Sequence, residues 1–493
     1  MKSLITLITL SLALAGCAGA PRSVDSINGE IVISNNAPPK GYRLVRKAAG
    51  YGQTAVLYVR STEVESVLRP VSYVTSLGSL VLKSAAGAMG RVALSTTLMP
   101  ALDGDIPPVS NAEPMDLVAW EAQLDRVTNT TQSRGTLEFL VDGEEYFERL
   151  ESAILSANES IDVRTYIFDN DDYAVSVADL LKARSEDEVR VRVMFDSLGT
   201  QQAMQVDPDS TPSDHRAPLS MPAYLRSNSR AKVRTIANPW LTGDHTKTTI
   251  IDRKIAYVGG MNIGREYRYE WHDLMMEVRG PVVNQLQYES DKAWARAGLL
   301  GDLGNFLAFI KGEGNDAGDE GYPLRVLQTK NFDSDIYKAQ IAAIRNAQSY
   351  ILIENAYFSD DRTLYELAKA RRRGVDVRVI LPAGGNHGAL NASNEVAINM
   401  MLEHGIRVYR FPGMSHIKAA IFDGWACVGS ANFDKLSLKI NKELNLATSN
   451  TAAVAELMDK VFIPDLMASE EISEPADITM MARVTEILVD ELL

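Results

Sequence analysis

One eight-residue pattern occurs twice in this chain of 493 residues, and it constrains the fold more than any other feature. The first copy is His245-Thr246-Lys247-Thr248-Thr249-Ile250-Ile251-Asp252; the second is His416-Ile417-Lys418-Ala419-Ala420-Ile421-Phe422-Asp423. Val258-Gly259-Gly260-Met261-Asn262 follows the first copy and Val428-Gly429-Ser430-Ala431-Asn432 the second. A carboxylate closes each set, Asp273 and Glu443. From composition, one H-x-K-x-x-x-x-D match arises about once per hundred chains of this length, so a matched pair with a repeated asparagine is not chance. The chain is a duplication.

The elements around the two copies recur in the same order. In the first unit a helix-like stretch from Val141 to Ala157 precedes the strand-like Ile161 to Ile167. A further helix then leads to the strand Val189 to Asp196. The second unit has a helix-like Asp335 to Ala347, a strand Tyr350 to Glu354, a basic helix Leu364 to Arg373 and a strand Val375 to Leu381. Strands alternating with helices predict an α/β protein of parallel sheets with helices on their faces. The expected division is a signal at 1–16, an N-terminal region at 17–115, a first unit at 116–311, a Gly/Asp-rich linker at 312–321 and a second unit at 322–493. Residues 197–228 have no short counterpart in the second unit and are a candidate lid or rim. The apolar stretch 71–101 carries Lys83 and Arg91, which argue against a membrane span; it could lie in the membrane interface, and the expectation is that it packs on the body. The tail 472–493 has helical apolar spacing and is expected to pack likewise.

The octads are apolar and β-branched or small in their middles, so they read as strands. Residues two apart share a strand face, so His245 points with Lys247 and His416 with Lys418. Asp252 and Asp423 fall on the opposite face, which suits structural pairing rather than proton transfer. The glycines ahead of Asn262 and Asn432 allow a turn that returns each amide toward the Lys-His face. Two histidines, two lysines and two asparagines give a nucleophile, an acid, fixed positive charge and amide donors, a set that suits a phosphate diester. Lysine charge replaces a metal here, and no carboxylate cluster suits two metals; neither metal nor other cofactor is expected. A formal net charge of −14 disfavours a nucleic-acid partner. The two cysteines, Cys17 and Cys427, offer neither a disulfide framework nor zinc spacing. His272 would face away from the site and is assigned to packing or the surface, and His387 to a loop without a role.

The duplicated octads with their G-[GS]-x-N continuations resemble the phospholipase D superfamily over about residues 135–465. Val258 to Gly264, Asn432 to Ser437 and Asn441-Lys442-Glu443 are similar to bacterial cardiolipin synthases. The resemblance implies two phospholipase D-like α/β/α units packed with pseudo-twofold symmetry around one active-site cleft. It implies a covalent phosphohistidine intermediate, with His245 the nucleophile and His416 the acid/base. Asp273 and Glu443 would orient the histidines, each unit supplying its own. Lys247, Lys418, Asn262, Asn432 and Ser430 would bind the phosphate, with Gly260 in the place where many members have serine. The implied substrate is a membrane phospholipid. The alternatives are an exported nuclease of the same superfamily and a non-catalytic lipid-binding lipoprotein.

The first residues, Met-Lys followed by apolar Leu4 to Ala15, read as a secretory signal too short to span a bilayer. Leu14-Ala15-Gly16-Cys17 resembles the lipobox of bacterial lipoproteins, which implies acylation of Cys17 and attachment to the bacterial membrane. In such proteins Ala18 after the cysteine favours the periplasmic face of the outer membrane.

Overall fold

The computed structural model describes residues 66–477 apart from 68, 79–80, 82–101, 103, 129, 205–207, 209, 238–241, 312–317, 319, 332 and 386–387. Cys17, the signal, His387, most of 71–101 and the tail beyond 477 lie outside the described residues. No helix among the described residues is long and apolar enough to cross a membrane.

The first unit contributes β1 (Ser133–Val141), β2 (Ser160–Thr165), β3 (Arg190–Asp196), β4 (Lys232–Ile236), β5 (Thr248–Ile251), β6 (Ile255–Gly259) and β7 (Leu274–Arg279). The second contributes β8 (Tyr322–Lys330), β9 (Asp333–Ser334), β10 (Tyr350–Asn355), β11 (Asp376–Pro382), β12 (Arg407–Phe411), β13 (Lys418–Phe422), β14 (Trp425–Gly429), β15 (Glu443–Thr448) and β16 (Glu470–Ile472). The strand order is β1-β7-β6-β5-β2-β3-β4 in one unit and β8-β15-β14-β13-β10-β11-β12 in the other, so the duplication holds strand for strand. Strands β1 and β8 pair through Ser133–Gly135 and Tyr322–Leu324, joining the two sheets at the middle.

The sheets are mixed, where alternation of elements predicts parallel ones. Only β2-β3-β4 and β10-β11-β12 run parallel. Each octad strand instead forms a hairpin with the strand that follows it, β5 with β6 and β13 with β14. Two or three residues cannot carry a parallel crossover. They turn back because Asp252 and Arg253, like Asp423 and Gly424, adopt positive φ.

The helices that follow are α1 (Leu117–Thr128), α2 (Asp142–Ser156), α3 (Asp172–Glu186), α4 (Val282–Arg296), α5 (Gly301–Lys311), α6 (Asp335–Asn346) and α7 (Asp361–Arg372). The aspartates before α3 and α7, Asp171 and Asp360, each accept a backbone N–H three residues on and start the helix. Phe147 and Val177 of α2 and α3 cover Val163 and Val193 of the first sheet; Ile344 and Leu367 of α6 and α7 cover Ile353 and Val379 of the second. A third core lies between the units, where Phe139, Val258 and Met276 meet Leu352, Ile421 and Val428.

The units also exchange elements. Helix α1 precedes the first unit in the chain but packs on the second, with Trp120 edge-on to Trp425 at 5.3 Å between ring centroids. Buried Arg325 of β8 reaches Asp125 of α1 at 2.7 Å. The helical run 451–468 of the second unit buries Val454, Leu457 and Phe462 beside Phe139 of the first. A boundary near 116 follows the chain, not the packing.

Candidate active site

Asp252 accepts the backbone N–H groups of Asn158, Glu159 and Ser160, and Asp423 those of Gln348, Ser349, Tyr350 and Met115. Each ties the octad hairpin to the turn that enters the neighbouring strand, so the aspartates set the position of the octad.

The histidines lie just ahead of β5 and β13, not within strands. Their backbones pair across the molecule: His245 N–H donates to Lys442 O at 2.9 Å, and His416 N–H to His272 O at 2.6 Å. The carboxylates therefore arrive crossed. His245 Nδ1 lies 3.0 Å from Glu443 of the second unit, and His416 Nδ1 lies 2.6 Å from Asp273 of the first. This corrects the expectation that each half carries its own carboxylate. Sequence offsets gave the partners' identities but not which unit they serve, because the exchange comes from the packing of β7 and β15 beside the central junction. With Nδ1–H given to a carboxylate, Nε2 of each ring is the nitrogen left to react, carrying a lone pair when the ring is neutral and a proton when it is charged.

Lys247 and Lys418 are buried, and each ammonium donates to the carbonyl of its own histidine, at 2.7 and 2.5 Å. Burial lowers Lys247 to about 7, with Glu443 opposing and Lys418 adding to the fall. Burial lowers Lys418 to about 8 against the pull of Asp273. Burial likewise raises Asp273 to about 6, although Lys418 and Lys247 oppose it. Burial depresses His245 against Glu443, which favours the neutral ring. Each lysine feels both carboxylates, so the two half-sites share one electrostatic field.

Asn262 Oδ1 accepts the N–H of Ile167 at 3.0 Å, fixing the amide at the end of β2. Asn432 Oδ1 is buried and lacks a hydrogen-bond partner among the described residues. Ser430 does not stand free for a phosphate: its hydroxyl donates to Glu443 at 2.6 Å and accepts Leu444 N–H at 3.0 Å. In the other half Gly260 leaves that volume to Asp273, whose Oδ1 a Cβ at 260 would strike. The serine–glutamate and glycine–aspartate pairs fill the same space in two ways.

Three aromatic residues were not singled out from sequence. Tyr166 packs edge-on to His245 at 4.8 Å, and Trp271 and Tyr267 lie 5.3 and 5.7 Å from His416. Tyr166 just after β2 and Trp271 just before Asp273 and β7 offered a signal by position, whereas Tyr267 lies in the short helix Arg265–Tyr269.

A ring of polar residues flanks each half. Beside His245, Arg164 binds Asp244 at 2.8 Å and Lys442 lies 3.9 Å from the same carboxylate. Beside His416, Ser415 donates to Glu354 at 2.6 Å, and His272 is buried between Asp142 at 2.7 Å and Asp465 at 3.1 Å. His272 is thus a packed, ion-paired residue; burial would lower it, but Asp142 and Asp465 hold it well above the usual histidine value. His272, Glu354 and Asp465 offer ligand atoms within 4.8 Å of one another, close enough for a metal ion. His272 is bonded to Asp142 and Asp465 and Ser415 to Glu354 Oε1, while Glu354 Oε2 is buried without a hydrogen-bond partner among the described residues.

In sequence, the family described as cardiolipin synthase, PLD-like domain, matches residues 150–294 and 340–465, more than half of the chain and both units. The major cardiolipin synthase of Bacillus subtilis is 28% identical over 350 residues, covering 68% of this chain and 70% of that protein. A cardiolipin synthase of Clostridium perfringens is 25% identical over 373 residues, covering 73% and 75%. The crystal structure of phosphatidylserine synthase from Haemophilus influenzae covers 76% of this chain and 97% of its own at a TM-score of 0.54 and 13% identity, a likeness of fold. With both octads, the strand order and the family match in agreement, the chain belongs to the cardiolipin synthase, PLD-like domain family.

Proposed function

We propose that this chain transfers or hydrolyses phosphatidyl groups of membrane phospholipids through one site built by both units. The observation that carries the reading is the crossed pair of imidazoles, each holding an Nδ1–carboxylate contact and flanked by a buried lysine. Neutral His245 attacks phosphorus through Nε2, the P–O bond to the leaving alcohol breaks, and His416, entering the step protonated, gives that oxygen its Nε2 proton. The phosphatidyl group rests on His245. An incoming alcohol or water loses its proton to His416 as its oxygen attacks phosphorus and the P–N bond breaks. Lys247 and Lys418 supply the positive charge that the crowded phosphate oxygens need. The cardiolipin synthases among the relatives favour an alcohol acceptor on a second lipid. Acylation at Cys17 would hold the enzyme at the bacterial envelope, where its substrate lies.

The test is incubation of the full chain with defined phospholipids in EDTA, with and without glycerol or phosphatidylglycerol, with products identified by mass spectrometry. Phosphatidic acid, or a phosphatidyl group moved to the added alcohol, is the expected product. Cleavage of DNA with no lipid product contradicts the reading. Incorporation of labelled palmitate, lost in Cys17→Ser, tests the anchor.

A further inference from the structure

Helix α5 is turned inside out for a globular protein. Its glycines face the molecule: Gly301 lies against Arg296 O, and a Cβ on Gly304 would meet Ala295 O at 3.2 Å. Glycine contact with α4 sends the large side chains outward, and Leu303, Phe306, Leu307, Phe309 and Ile310 are each more than half exposed. Beside it runs the helical segment 70–78, held to α5 by Asp302, which accepts the N–H groups of Val71 and Ser72 at 2.8 and 3.1 Å. That segment exposes Val71 and Val74 to the same degree. Single exposed apolar residues are ordinary, but a contiguous set on two docked helices marks an interaction surface.

The two helices form one lip of a cavity of about 710 Å³, to which Phe306, Phe309 and Val71 all contribute. Its inner wall carries Arg164, Arg296 and Lys442, and it reaches Thr246 and Glu443. None of His245, His416, Lys247 and Lys418 lines it. The wall has surplus positive charge. Asp244 is held by Nε and Nη2 of Arg164 and lies 3.9 Å from Lys442, so one carboxylate serves two cations. Arg296 Nε is buried with no hydrogen-bond partner among the described residues. Burial, with Arg296 nearby, lowers Lys442 to about 8 although Asp244 opposes the fall, as expected of cations crowded around one carboxylate.

We infer that this face docks on a bilayer of anionic phospholipid, α5 and 70–78 entering the acyl region while a lipid phosphate sits against Arg164, Arg296 and Lys442. The inference rests on the proposed lipid activity and adds to it the side from which lipid approaches. Charge complementarity chooses the occupant. Cations inside and hydrocarbon outside match an amphiphile with an anionic head, and they match neither a soluble anion nor a purely apolar partner. A chain with formal net charge −14 needs such local cations to approach an anionic surface at all.

The full chain carrying Cys17→Ser, so that no acyl group contributes, is sedimented with phosphatidylcholine vesicles with and without phosphatidylglycerol. Binding is expected on the anionic vesicles and at least tenfold weaker in Phe306→Asp/Phe309→Asp. Arg296→Gln and Lys442→Gln should each reduce the preference for anionic over neutral vesicles severalfold. Leu307→Ser/Ile310→Ser is a milder second disruption of the same face. Wild-type binding by both apolar double variants would overturn the inference. So would full displacement by inorganic phosphate, or a dimer that dissociates in these variants while vesicle binding stays. A lowered melting temperature with intact vesicle binding would assign the face to internal packing and also overturn it. Short-chain phosphatidylglycerol below its micellar concentration separates the two readings. A chain that sediments but turns over neither monomers nor vesicles supports docking and breaks the activity. A chain equally active on monomers and vesicles, with no sedimentation, breaks docking and keeps the activity.

Discussion

The half-site around His245 and the half-site around His416 share one plan at the centre and reverse it one step out. Arg164 pairs with Thr248 as Glu354 pairs with Ala419, two equivalent octad positions. The crossing bridges likewise make Asp244 and Lys442 the counterparts of Ser415 and His272. One surround is Arg–Asp–Lys and opens on a cavity; the other is Glu–Ser–His, closed by Asp465 from the short helix Ile463–Ala468. Duplication supplies two equal histidines, but a two-step transfer needs one that attacks and one that shuttles protons. Since the motif itself is symmetric, the unequal roles proposed for the two histidines would have to be set by the residues that surround it.

Removing either imidazole is the largest perturbation. His245→Ala and His416→Ala should each lower turnover of phospholipid by about 10³-fold or more, in line with the loss of a nucleophile or a general acid. Substantial activity in either, measured by release of the head group, would mean two independent sites.

Gly260→Ser comes next and probes the asymmetry directly. The added side chain strikes the Asp273 carboxylate that orients His416, so kcat should fall about a hundredfold, more than the equivalent serine at 430 would suggest. Gly260→Ser with Asp273→Glu, which rebuilds the pair found in the other half, should recover part of the loss. No recovery would break the idea that the two pairs are interchangeable fillings of one space.

The pH profile is a smaller effect. Lys247 at about 7 and Lys418 at about 8 lose their charge as pH rises, so affinity for an anionic phosphate should weaken through pH 7 to 8. The sign follows because the bound phosphate favours the charged lysine, which exists below its pKa. KM rising across that window with kcat less affected is the expected result, and Lys247→Arg should move the rise to higher pH.

Ser430→Ala is the smallest. It removes a hydrogen bond to Glu443, which contributes about 1.5 kcal/mol and therefore about tenfold in kcat. A change confined to KM would return Ser430 to the phosphate-binding role that the sequence suggests.

Much of this was legible in the sequence. The octads, the asparagines and both carboxylates could be placed by spacing, and Asp252 and Asp423 could be given a fixing role from strand alternation. Three things were not. The crossing of Glu443 to His245 and Asp273 to His416 is a tertiary event between residues 198 and 143 positions apart, which local periodicity cannot register. The antiparallel hairpins were hidden because Asp252-Arg253 is not a glycine-bearing turn signal, although Asp423-Gly424 is one. Ser430 was assigned to phosphate by analogy, and only its neighbours reveal that Glu443 engages it.

The most direct test of one site with two unequal histidines is a single-turnover experiment on a nitrophenyl phosphodiester, whose leaving group needs no proton. His416→Ala should release one nitrophenolate per chain and then stall, with the phosphoryl group found on His245 by peptide mass spectrometry; His245→Ala should give neither burst nor adduct. A burst in His245→Ala with the adduct on His416 would contradict the account.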